Sequence, residues 1–211
     1  MREPTNWDKF DIYSNSFFSK HCFENAVINS YKKLVKNINF DHPIKILEFG
    51  CGTGRTNLFL SKRFNVEKIV AIDFNKKMSD IAKQALSDIS CEKEFINEDF
   101  LKIERAEQYD IVHSQGVIEH FEPAKRIELL KKHFDVTKKG GFCIVYSPIP
   151  TGSYFFFRKI LEILRAWIFT DEVPIPKEVI IKEMQSFGFT TQNIDYFWKY
   201  FLTEVGILFK K

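Results

Sequence analysis

A short glycine-rich segment constrains the fold of this chain more than any other feature. The pentapeptide GCGTG at 50–54 holds three of the nine glycines in 211 residues, and it directly follows an apolar run, IKILEF, at 44–49. Glycine adopts positive φ without strain and lets the backbone approach a ligand closely, while the free N–H groups of a following helix point at that ligand. The segment therefore predicts a strand, a tight turn and a helix arranged around a bound molecule.

Apolar runs of strand length alternate with helical patterns through the middle of the chain. The runs are rich in β-branched residues, as in strands buried on both faces of a parallel sheet, and they lie at 44–49, 68–73, 109–114 and 142–147, with a weaker one at 94–99. Helical patterns lie at 55–63, 75–88 and 122–134, and two further strands are expected at 190–198 and 204–211. The KKGG segment at 138–141 is expected to separate the third helix from the next strand. This alternation predicts an α/β sandwich around a mostly parallel sheet.

Length, charge and cysteine spacing narrow the class of protein. A chain of 211 residues fits one domain, and the net charge of +3, with Lys and Glu interleaved, gives no basic stripe for nucleic acid. The four cysteines are far apart and form no Cys-x-x-Cys pair, which argues against a zinc site and a disulfide framework. The first ten residues lack the apolar segment of a secretory signal. We therefore expect a reduced, cytoplasmic protein without a nucleic-acid partner.

The spacing of the glycines separates two classes of nucleotide-type turn. A dinucleotide fingerprint, G-x-G-x-x-G, would place its third glycine at position 55, which is Arg55. The chain has G-x-G-x-G preceded by Glu48, and this pattern resembles the first motif of the class I S-adenosylmethionine-dependent methyltransferases, of the type that acts on small molecules. Three later segments resemble the family's further motifs in order: VAIDFNKKM, NEDF and YDIVHSQGVIEHF. The pattern argues against NAD(H) as the ligand.

The resemblance implies a fold and a set of residues that bind the cofactor S-adenosylmethionine. The fold is a Rossmann-like three-layer sandwich with a mostly parallel seven-stranded sheet, whose last strand is antiparallel. A single domain would comprise a helical N-terminal lid at 1–40, a cofactor-binding core at 41–150, a helical insertion after the fifth strand at 151–176, and the last helix and strands at 177–211. The implied cofactor-binding residues are Glu48, Gly50, Cys51, Gly52 and Gly54 for methionine, Asp73 for ribose, Phe74, Met78, Asp99 and Phe100 for adenine, and Ser114 near methionine.

The family's reaction makes modest demands on catalytic side chains. The methyl group of S-adenosylmethionine is already activated, so its transfer is an in-line displacement that needs alignment and exclusion of water. A general base contributes only when the acceptor carries a proton of high pKa, such as that of a hydroxyl. The candidate catalytic residues are His113, Glu119 and His120, with His21 and Tyr13 as further candidates. Both His113 and His120 also fit a structural role, and the sequence does not choose among the candidates.

The same segment of the chain partly resembles a known metal-binding motif. Quinone-biosynthesis O-methyltransferases and small-RNA 2′-O-methyltransferases carry E-x-x-E-H there and use it to bind a metal. In this chain Gly116 replaces the first Glu, and no histidine follows His133. One carboxylate and one imidazole provide too few ligands for a hard divalent cation, which prefers several oxygen ligands. The sequence therefore predicts no metal.

Two segments outside the core motifs are candidates for the acceptor pocket. The N-terminal segment carries aromatic residues that would form a lid over the cofactor or simply cap the sheet: Trp7, Phe10, Tyr13, Phe17 and Phe18. In the insertion, Arg158, Glu162 and Arg165 mark one polar stripe, and apolar residues that include Phe156 cover the rest. That surface can line the pocket, form a homodimer interface or lie on a membrane surface, but it is too charged and too short to span a bilayer. The candidate pocket residues are Trp7, Tyr13, Phe17 and Phe156.

The sequence thus predicts an S-adenosylmethionine-dependent methyltransferase that methylates a small molecule at oxygen. One alternative is an enzyme that meets a lipid or quinone acceptor at a membrane surface through residues 153–169. Another is a non-catalytic S-adenosylmethionine-binding subunit, which the unmatched metal motif and the absence of a certain base would suit. Liposome binding tests the first alternative, and turnover of the methyl donor tests the second.

Overall fold

Seven strands form one mixed sheet in the computed structural model, which describes residues 4–9, 24–199 and 202–211. The strands are β1 (Ile44–Phe49), β2 (Val66–Ile72), β3 (Glu92–Ile96), β4 (Tyr109–Gln115), β5 (Thr137–Pro148), β6 (Thr190–Lys199) and β7 (Leu202–Lys210). Their order across the sheet is β3-β2-β1-β4-β5-β7-β6. β7 pairs antiparallel with both of its neighbours, β5 and β6, whereas the other pairs of strands are parallel. The expected sheet with an antiparallel last strand is confirmed.

Six α-helices lie within the described residues, and three of them begin at a local start signal. They are α1 (Glu24–Leu34), α2 (Arg55–Arg63), α3 (Lys76–Ala85), α4 (Pro123–Val136), α5 (Gly152–Ile163) and α6 (Lys177–Ser186). The Asn75 side chain caps α3 by accepting a hydrogen bond from the Met78 N–H at 3.1 Å, and Thr151 caps α5 in the same way from the Tyr154 N–H. Pro123 occupies the first turn of α4, where no backbone N–H bond is lost.

Helices cover both faces of the sheet, which gives the three layers that the resemblance implied. On one face, α1 and α2 pack through Tyr31 and Leu60 against Ile46 and Ile111. The core of the other face joins α4 and α6 to β1 and β4, through Leu129, Leu130, Ile180, Met184, Leu47 and Val112. Since a parallel sheet buried on both faces has near-continuous apolar strands, the strand pattern of the sequence follows from this packing.

The KKGG segment at 138–141 lies inside β5 rather than between two elements. Helix α4 ends at Val136, and β5 already pairs with β4 at Thr137. Between that pair and the next, the register shifts, and Gly140 takes a positive φ of 79°. The Gly140 N–H donates to the Lys211 carbonyl, and the Lys211 N–H donates to the Gly141 carbonyl. A bulge that pairs with the terminal strand therefore replaces the expected loop.

Helix α5 turns its apolar side outward. Phe155, Phe156, Ile163 and Leu164 are between 52% and 70% exposed, whereas Tyr154 on the opposite side of the helix is fully buried. A helix on a soluble core normally buries its apolar stripe, so this face is available for contact with something else. Among the described residues, no helix combines the length and apolar character that crossing a bilayer requires.

Candidate active site

The glycine turn lies at the carboxyl end of β1, at the centre of the sheet. Gly50, Gly52 and Gly54 all have positive φ, at 72°, 48° and 74°. The N–H groups of Gly50 and Cys51 both donate to the carbonyl of Ile72 at the end of β2, at 2.8 and 3.0 Å. The turn is thereby fixed to the neighbouring strand, at the point where open α/β sheets bind their ligands.

The three glycines meet different surroundings. A Cβ at Gly50 would lie 2.4 Å from a methyl carbon of Val117, and one at Gly54 would lie 3.1 Å from the Cα of Ala82. These two glycines permit close packing of the turn against its neighbours. A Cβ at Gly52 would meet none of the described residues within 4 Å. The backbone of Gly52 therefore borders open space, as a ligand-facing position requires.

Asp73 ties the glycine turn to the next strand. Its Oδ2 accepts a hydrogen bond from the Gly52 N–H at 2.9 Å, and its Oδ1 accepts one from the Asn75 N–H at 2.9 Å. Burial raises the pKa of Asp73, and these two hydrogen bonds oppose the rise. Because a carboxylate offers about four acceptor positions, Asp73 still has acceptor capacity for the hydroxyls of a ligand.

A partly exposed aromatic wall continues from Asp73. Phe74 is 49% exposed, and its ring packs edge-on against the buried ring of Phe100 at 6.3 Å. Asp99 is exposed, and its side chain accepts a hydrogen bond from the Leu101 N–H. Met78 is 98% buried by contrast, so it offers almost no surface to a ring. Of the residues predicted to contact adenine, Phe74 and Asp99 are the ones that the structure presents to solvent.

The side chains of two residues predicted to contact methionine, Glu48 and Cys51, are buried in the protein interior rather than exposed on the ligand side of the turn. Glu48 is buried, and its carboxylate accepts hydrogen bonds from the Thr56 hydroxyl and from the Asn57 amide nitrogen. Burial raises the pKa of Glu48 well above its usual value. The Cys51 thiol is also buried, in a small cluster with Ala82. Both side chains therefore stabilise the turn from the protein interior and do not face the ligand side.

His113 and Ser114 point to opposite faces of the sheet and away from the turn. His113 accepts a hydrogen bond from the Tyr31 hydroxyl at 3.1 Å and contacts the Asn57 amide oxygen through Nε2 at 3.1 Å. It is fully buried, and burial lowers its pKa to about 3. The Ser114 hydroxyl bonds to His133 in the opposite core at 3.0 Å. The structure therefore places neither the imidazole of His113 nor the hydroxyl of Ser114 where the sequence analysis expected them to act.

Glu119 and His120 lie in a short 3-10 turn, Ile118–His120, which follows β4 and faces the insertion. Glu119 is 98% buried, and its Oε2 has no hydrogen-bond partner among the described residues. Burial and the nearby charge of Glu172 raise its pKa well above the usual value. His120 donates through Nδ1 to Asp171 at 2.7 Å. Although burial opposes it, this bond lowers the pKa of Asp171 to about 2.

Glu172 is a site residue that the sequence analysis did not identify. One ligand atom from each of Glu119, His120 and Glu172 lies within 4.8 Å of the other two. The Tyr154 hydroxyl donates to the Glu172 carboxylate, and the Arg158 guanidinium donates to the Glu172 main-chain carbonyl at 2.8 Å. Glu172 lies in an irregular stretch after α5 with no periodic pattern, so no local signal points to it.

Trp7 connects the two sides of the site. Its ring lies 6.4 Å from Phe74, 5.0 Å from His120 and 6.1 Å from Phe169 of the insertion. The Thr5 hydroxyl donates to Asp171, which fixes the segment before Trp7 to the same region. These contacts agree with a pocket role for Trp7 and place Thr5 and Trp7 beside the site.

The family described as "Methyltransferase domain" matches residues 46–141, which contain the glycine turn, Asp73 and the turn with Glu119 and His120. Residues 46–141 therefore form a methyltransferase domain, of the S-adenosylmethionine-dependent class I type that the sequence motifs resemble.

Curated relatives cover part of this methyltransferase. A malonyl-[acyl-carrier protein] O-methyltransferase from Priestia megaterium is 30% identical over 115 residues, which is 54% of this chain and 40% of the relative. A phosphoethanolamine N-methyltransferase from Arabidopsis thaliana is 25% identical over 119 residues, or 56% of this chain and 24% of the relative. The matched region thus spans less than half the length of either relative.

Solved structures share the fold over nearly the whole chain. The magnesium protoporphyrin IX methyltransferase from Synechocystis PCC 6803, crystallised with S-adenosylhomocysteine, superposes with a TM-score of 0.77 at 16% identity. The superposition covers 97% of this methyltransferase and 94% of that chain. At this level of identity the similarity concerns the fold.

The remaining predicted pocket residues divide into two groups. Tyr13 and Phe17 lie outside the described residues, as do Phe10, Phe18 and His21. Phe156 is 62% exposed on the outward face of α5, with its ring against Phe157. Since the inward side of α5 carries Tyr154 and Arg158, Phe156 does not line the site. Its placement as a pocket residue was wrong because the apolar side of α5 faces outward.

Proposed function

We propose that this methyltransferase transfers a methyl group from S-adenosylmethionine to the oxygen of a small-molecule acceptor. The observation that carries the proposal is the open glycine turn, with Gly52 bordering free space and the Asp73 carboxylate bonded beside it. Among the relatives, one is named for O-methylation and one for N-methylation. The choice of oxygen is our own inference, made because acceptor-side groups suited to handling a hydroxyl proton lie next to the turn.

The residues present fit the proposed cofactor. Gly52 leaves room for the methionine end, Asp73 has remaining acceptor capacity for ribose hydroxyls, and Phe74 presents an exposed ring to adenine. The amino end of α2 begins directly after Gly54, with N–H groups that no side chain caps. When bound, S-adenosylmethionine would supply a methyl group already activated by its positively charged sulfur.

The chain's own contribution is alignment, shielding and handling of one proton. Val117 packs on Gly50, so the turn that carries Glu119 and His120 lies against the glycine turn. Trp7 covers the region between them and restricts access of water. Removal of a hydroxyl proton is assigned to the Glu119 and His120 side, because His113 is fully buried and its lowered pKa makes the imidazole a weak proton acceptor.

Thermal unfolding with ligands tests the proposed cofactor site. S-adenosylmethionine and S-adenosylhomocysteine at 100 times their dissociation constants should each stabilise the protein by about 2.7 kcal/mol, whereas NADH should not. Asp73→Ala should abolish this shift. Asp80→Ala, which changes an exposed carboxylate on the neighbouring helix α3, is the matched control and should retain it. If neither sulfur ligand stabilises the wild-type protein, the proposed cofactor site is wrong.

Turnover separates an enzyme from a binding subunit. Labelled S-adenosylmethionine should yield a methylated product with at least one member of a set of apolar hydroxyl compounds. Matched amines and thiols in the same set test the choice of oxygen. Ligand binding without any transfer across the whole set would instead favour the non-catalytic subunit.

A membrane-bound acceptor is a second candidate, favoured by the outward apolar face of α5. Phe155, Phe156 and Ile163 form this face, and the exposed Lys159 ammonium lies among them. Such a helix can lie in the interface of an anionic membrane. Co-sedimentation with anionic liposomes should fall for Phe156→Gln and Ile163→Gln but not for Ile127→Gln, which alters an exposed side chain on α4. Loss of a dimer in these variants, without liposome binding by the wild type, would favour a homodimer.

A further inference from the structure

The acceptor side of the site contains two neighbouring buried carboxylates, one of which has an oxygen without a hydrogen-bond partner among the described residues. Glu119 and Glu172 are 98% and 92% buried, and the charge of the nearby Glu204 also acts on Glu119. The Arg158 guanidinium donates to the Glu172 main-chain carbonyl, the Tyr154 hydroxyl and Glu162. The Oε2 atom of Glu119 has no hydrogen-bond partner among the described residues. A buried carboxylate oxygen in this state is costly unless a ligand satisfies it.

The geometry of the cluster matches a single bound ion. The ligand atoms of Glu119, His120 and Glu172 all lie within 4.8 Å of one another. Two ligands of one divalent cation, with bonds of about 2.1 to 2.4 Å, are separated by at most about 4.8 Å. One ion can therefore reach all three atoms after small side-chain adjustments.

Supporting contacts orient two of these three residues. His120 donates its Nδ1 proton to Asp171 at 2.7 Å, which leaves Nε2 as the free ring nitrogen. Metal-binding histidines commonly donate their other nitrogen to a carboxylate in this way. The Tyr154 hydroxyl likewise donates to one oxygen of Glu172. Both arrangements fix the ligand before an ion arrives.

We propose that Glu119, His120 and Glu172 form a binding site for a divalent cation of the Mn²⁺ class. Two carboxylates and one imidazole provide oxygen and nitrogen ligands. Because Ca²⁺ binds almost exclusively to oxygen, the imidazole nitrogen makes this set better suited to Mn²⁺. The site differs from the E-x-x-E-H arrangement because Gly116 replaces the first acid and Glu172 comes from the insertion. The sequence argument against a metal counted a single carboxylate, and Glu172 supplies the second.

The cation would join the insertion to the core of the site. Glu119 and His120 belong to the turn after β4, whereas Glu172 belongs to the stretch after α5. Among the described main-chain hydrogen bonds, Glu119 makes one to the stretch after α5. In it, the Val173 N–H donates to the Glu119 carbonyl at 3.0 Å. A shared ion would fix this acceptor wall, and its binding does not depend on the proposed methyl transfer.

Mn²⁺ binding to the full chain tests the proposal without any acceptor. Electron paramagnetic resonance of free Mn²⁺ should show one saturable site per chain, and Mn²⁺ should raise the thermal midpoint. Glu119→Gln and Glu172→Gln should each weaken binding at least about tenfold, and Asp171→Asn by about tenfold through His120. Glu178→Gln, which changes an exposed carboxylate on α6, should bind within twofold of the wild type.

The controls separate a lost ligand from a lost fold. Without added cation, Glu119→Gln should unfold at or above the wild-type midpoint, because it removes a buried carboxylate, and it should still bind S-adenosylhomocysteine. Absence of a saturable Mn²⁺ site in the wild type would overturn the proposal, as would equal affinity in Glu119→Gln and Glu178→Gln. Failure of S-adenosylhomocysteine to bind the wild type would count against the proposed cofactor site alone.

Discussion

Two buried carboxylates, Asp73 and Glu119, lie on different sides of this site, and their oxygens are satisfied in different ways. Asp73, on the cofactor side, accepts hydrogen bonds from two backbone N–H groups, those of Gly52 and Asn75. Glu119, on the acceptor side, has one oxygen without a partner among the described residues and a second carboxylate, Glu172, beside it. Both oxygens of Asp73 are hydrogen-bonded, whereas one oxygen of Glu119 has no hydrogen-bond partner among the described residues.

The difference follows from how each side is assembled. The cofactor side is formed by a turn and the ends of adjacent strands, so backbone N–H groups are close at hand to satisfy Asp73. The acceptor side joins the turn after β4 to the insertion and to the segment at 4–9, through side chains alone in most contacts. Backbone hydrogen bonds hold the cofactor side in one conformation. Side-chain contacts allow small movements on the acceptor side, so a bound ligand can supply the missing interactions there.

The largest expected effect tests the rigidity of the cofactor side. Gly50→Ala should lower the free energy of unfolding by about 3 to 5 kcal/mol, because it adds strain at positive φ and a clash with Val117. Gly140→Ala is the matched control, since its φ is similarly positive but a Cβ there meets none of the described residues within 4 Å. It should cost only about 1 to 2 kcal/mol in urea unfolding. Equal losses would mean that the close approach to Val117 is unimportant.

Unfolding measured as a function of pH tests the core that packs against the cofactor side, where His133 lies against Phe49. Burial lowers the pKa of His133 to about 4 from an ordinary 6.5. Between these pH values the unfolded chain binds a proton that the folded chain does not. The free energy of unfolding therefore decreases as the pH decreases, by up to about 1.4 kcal/mol per pH unit. His133→Gln should flatten the fall in urea unfolding between pH 6.5 and 4.5.

His42 provides the control of opposite sign for that series. Hydrogen bonds to Asp41 and Asp110 raise the pKa of His42, so its contribution to stability is present at low pH and lost as the pH rises through the folded-state pKa. His42→Gln should therefore steepen the fall of stability toward low pH. A flatter profile in both variants would show that general acid unfolding, rather than burial of His133, sets the slope.

The two carboxylates should respond to neutralisation with opposite signs. Asp73→Asn should lower the free energy of unfolding by about 1 kcal/mol, because the amide can accept from only one of the two N–H groups, although relief of burial limits the loss. Glu119→Gln should raise it by about 1 kcal/mol at pH 8 in the presence of a chelator. Because the folded-state pKa of Glu119 is raised, ionisation penalises the wild type as pH rises above about 4.5, so the gain should shrink toward pH 5. Stabilisation by both changes would remove the distinction between the two sides.

The smallest expected effect concerns the outward face of α5. Phe156→Gln should change the free energy of unfolding by no more than about 0.5 kcal/mol, because the ring is 62% exposed and contacts mainly Phe157. Chemical unfolding of the purified variant measures this directly. A larger loss would place Phe156 in the core after all, and its liposome result would then need a different explanation.

Much of the fold and of the cofactor side could be predicted because the signals are local. The strand at 44–49 and the helix at 55–63 are found where the sequence placed them. The glycine turn and Asp73 depend on residues that are adjacent in the chain or at the ends of neighbouring strands. Local propensity and the parallel topology therefore suffice to bring them together.

The errors and omissions arise where tertiary contacts decide. Adjacent strand residues point to opposite faces, so His113 and Ser114 had to point apart. The sequence could not show that Asn57 and His133, from two different helices, bind these side chains inside the two cores. Glu172 reaches Glu119 only through the fold of the insertion, and the outward orientation of Phe156 depends on what Tyr154 and Arg158 contact on the other side of α5. Helical periodicity defines the faces of a helix but not which of them is buried.

Trp7 gives the site a thermodynamic property that follows from its position alone. Its indole touches Phe74 on the cofactor side and His120 on the acceptor side. Any molecule that displaces the indole from one side alters the surroundings offered to a molecule on the other. Linkage requires the effect to be reciprocal: if the first ligand changes the affinity of the second by some factor, the second changes the affinity of the first by the same factor. One tryptophan thus couples occupancy of the two halves of the site.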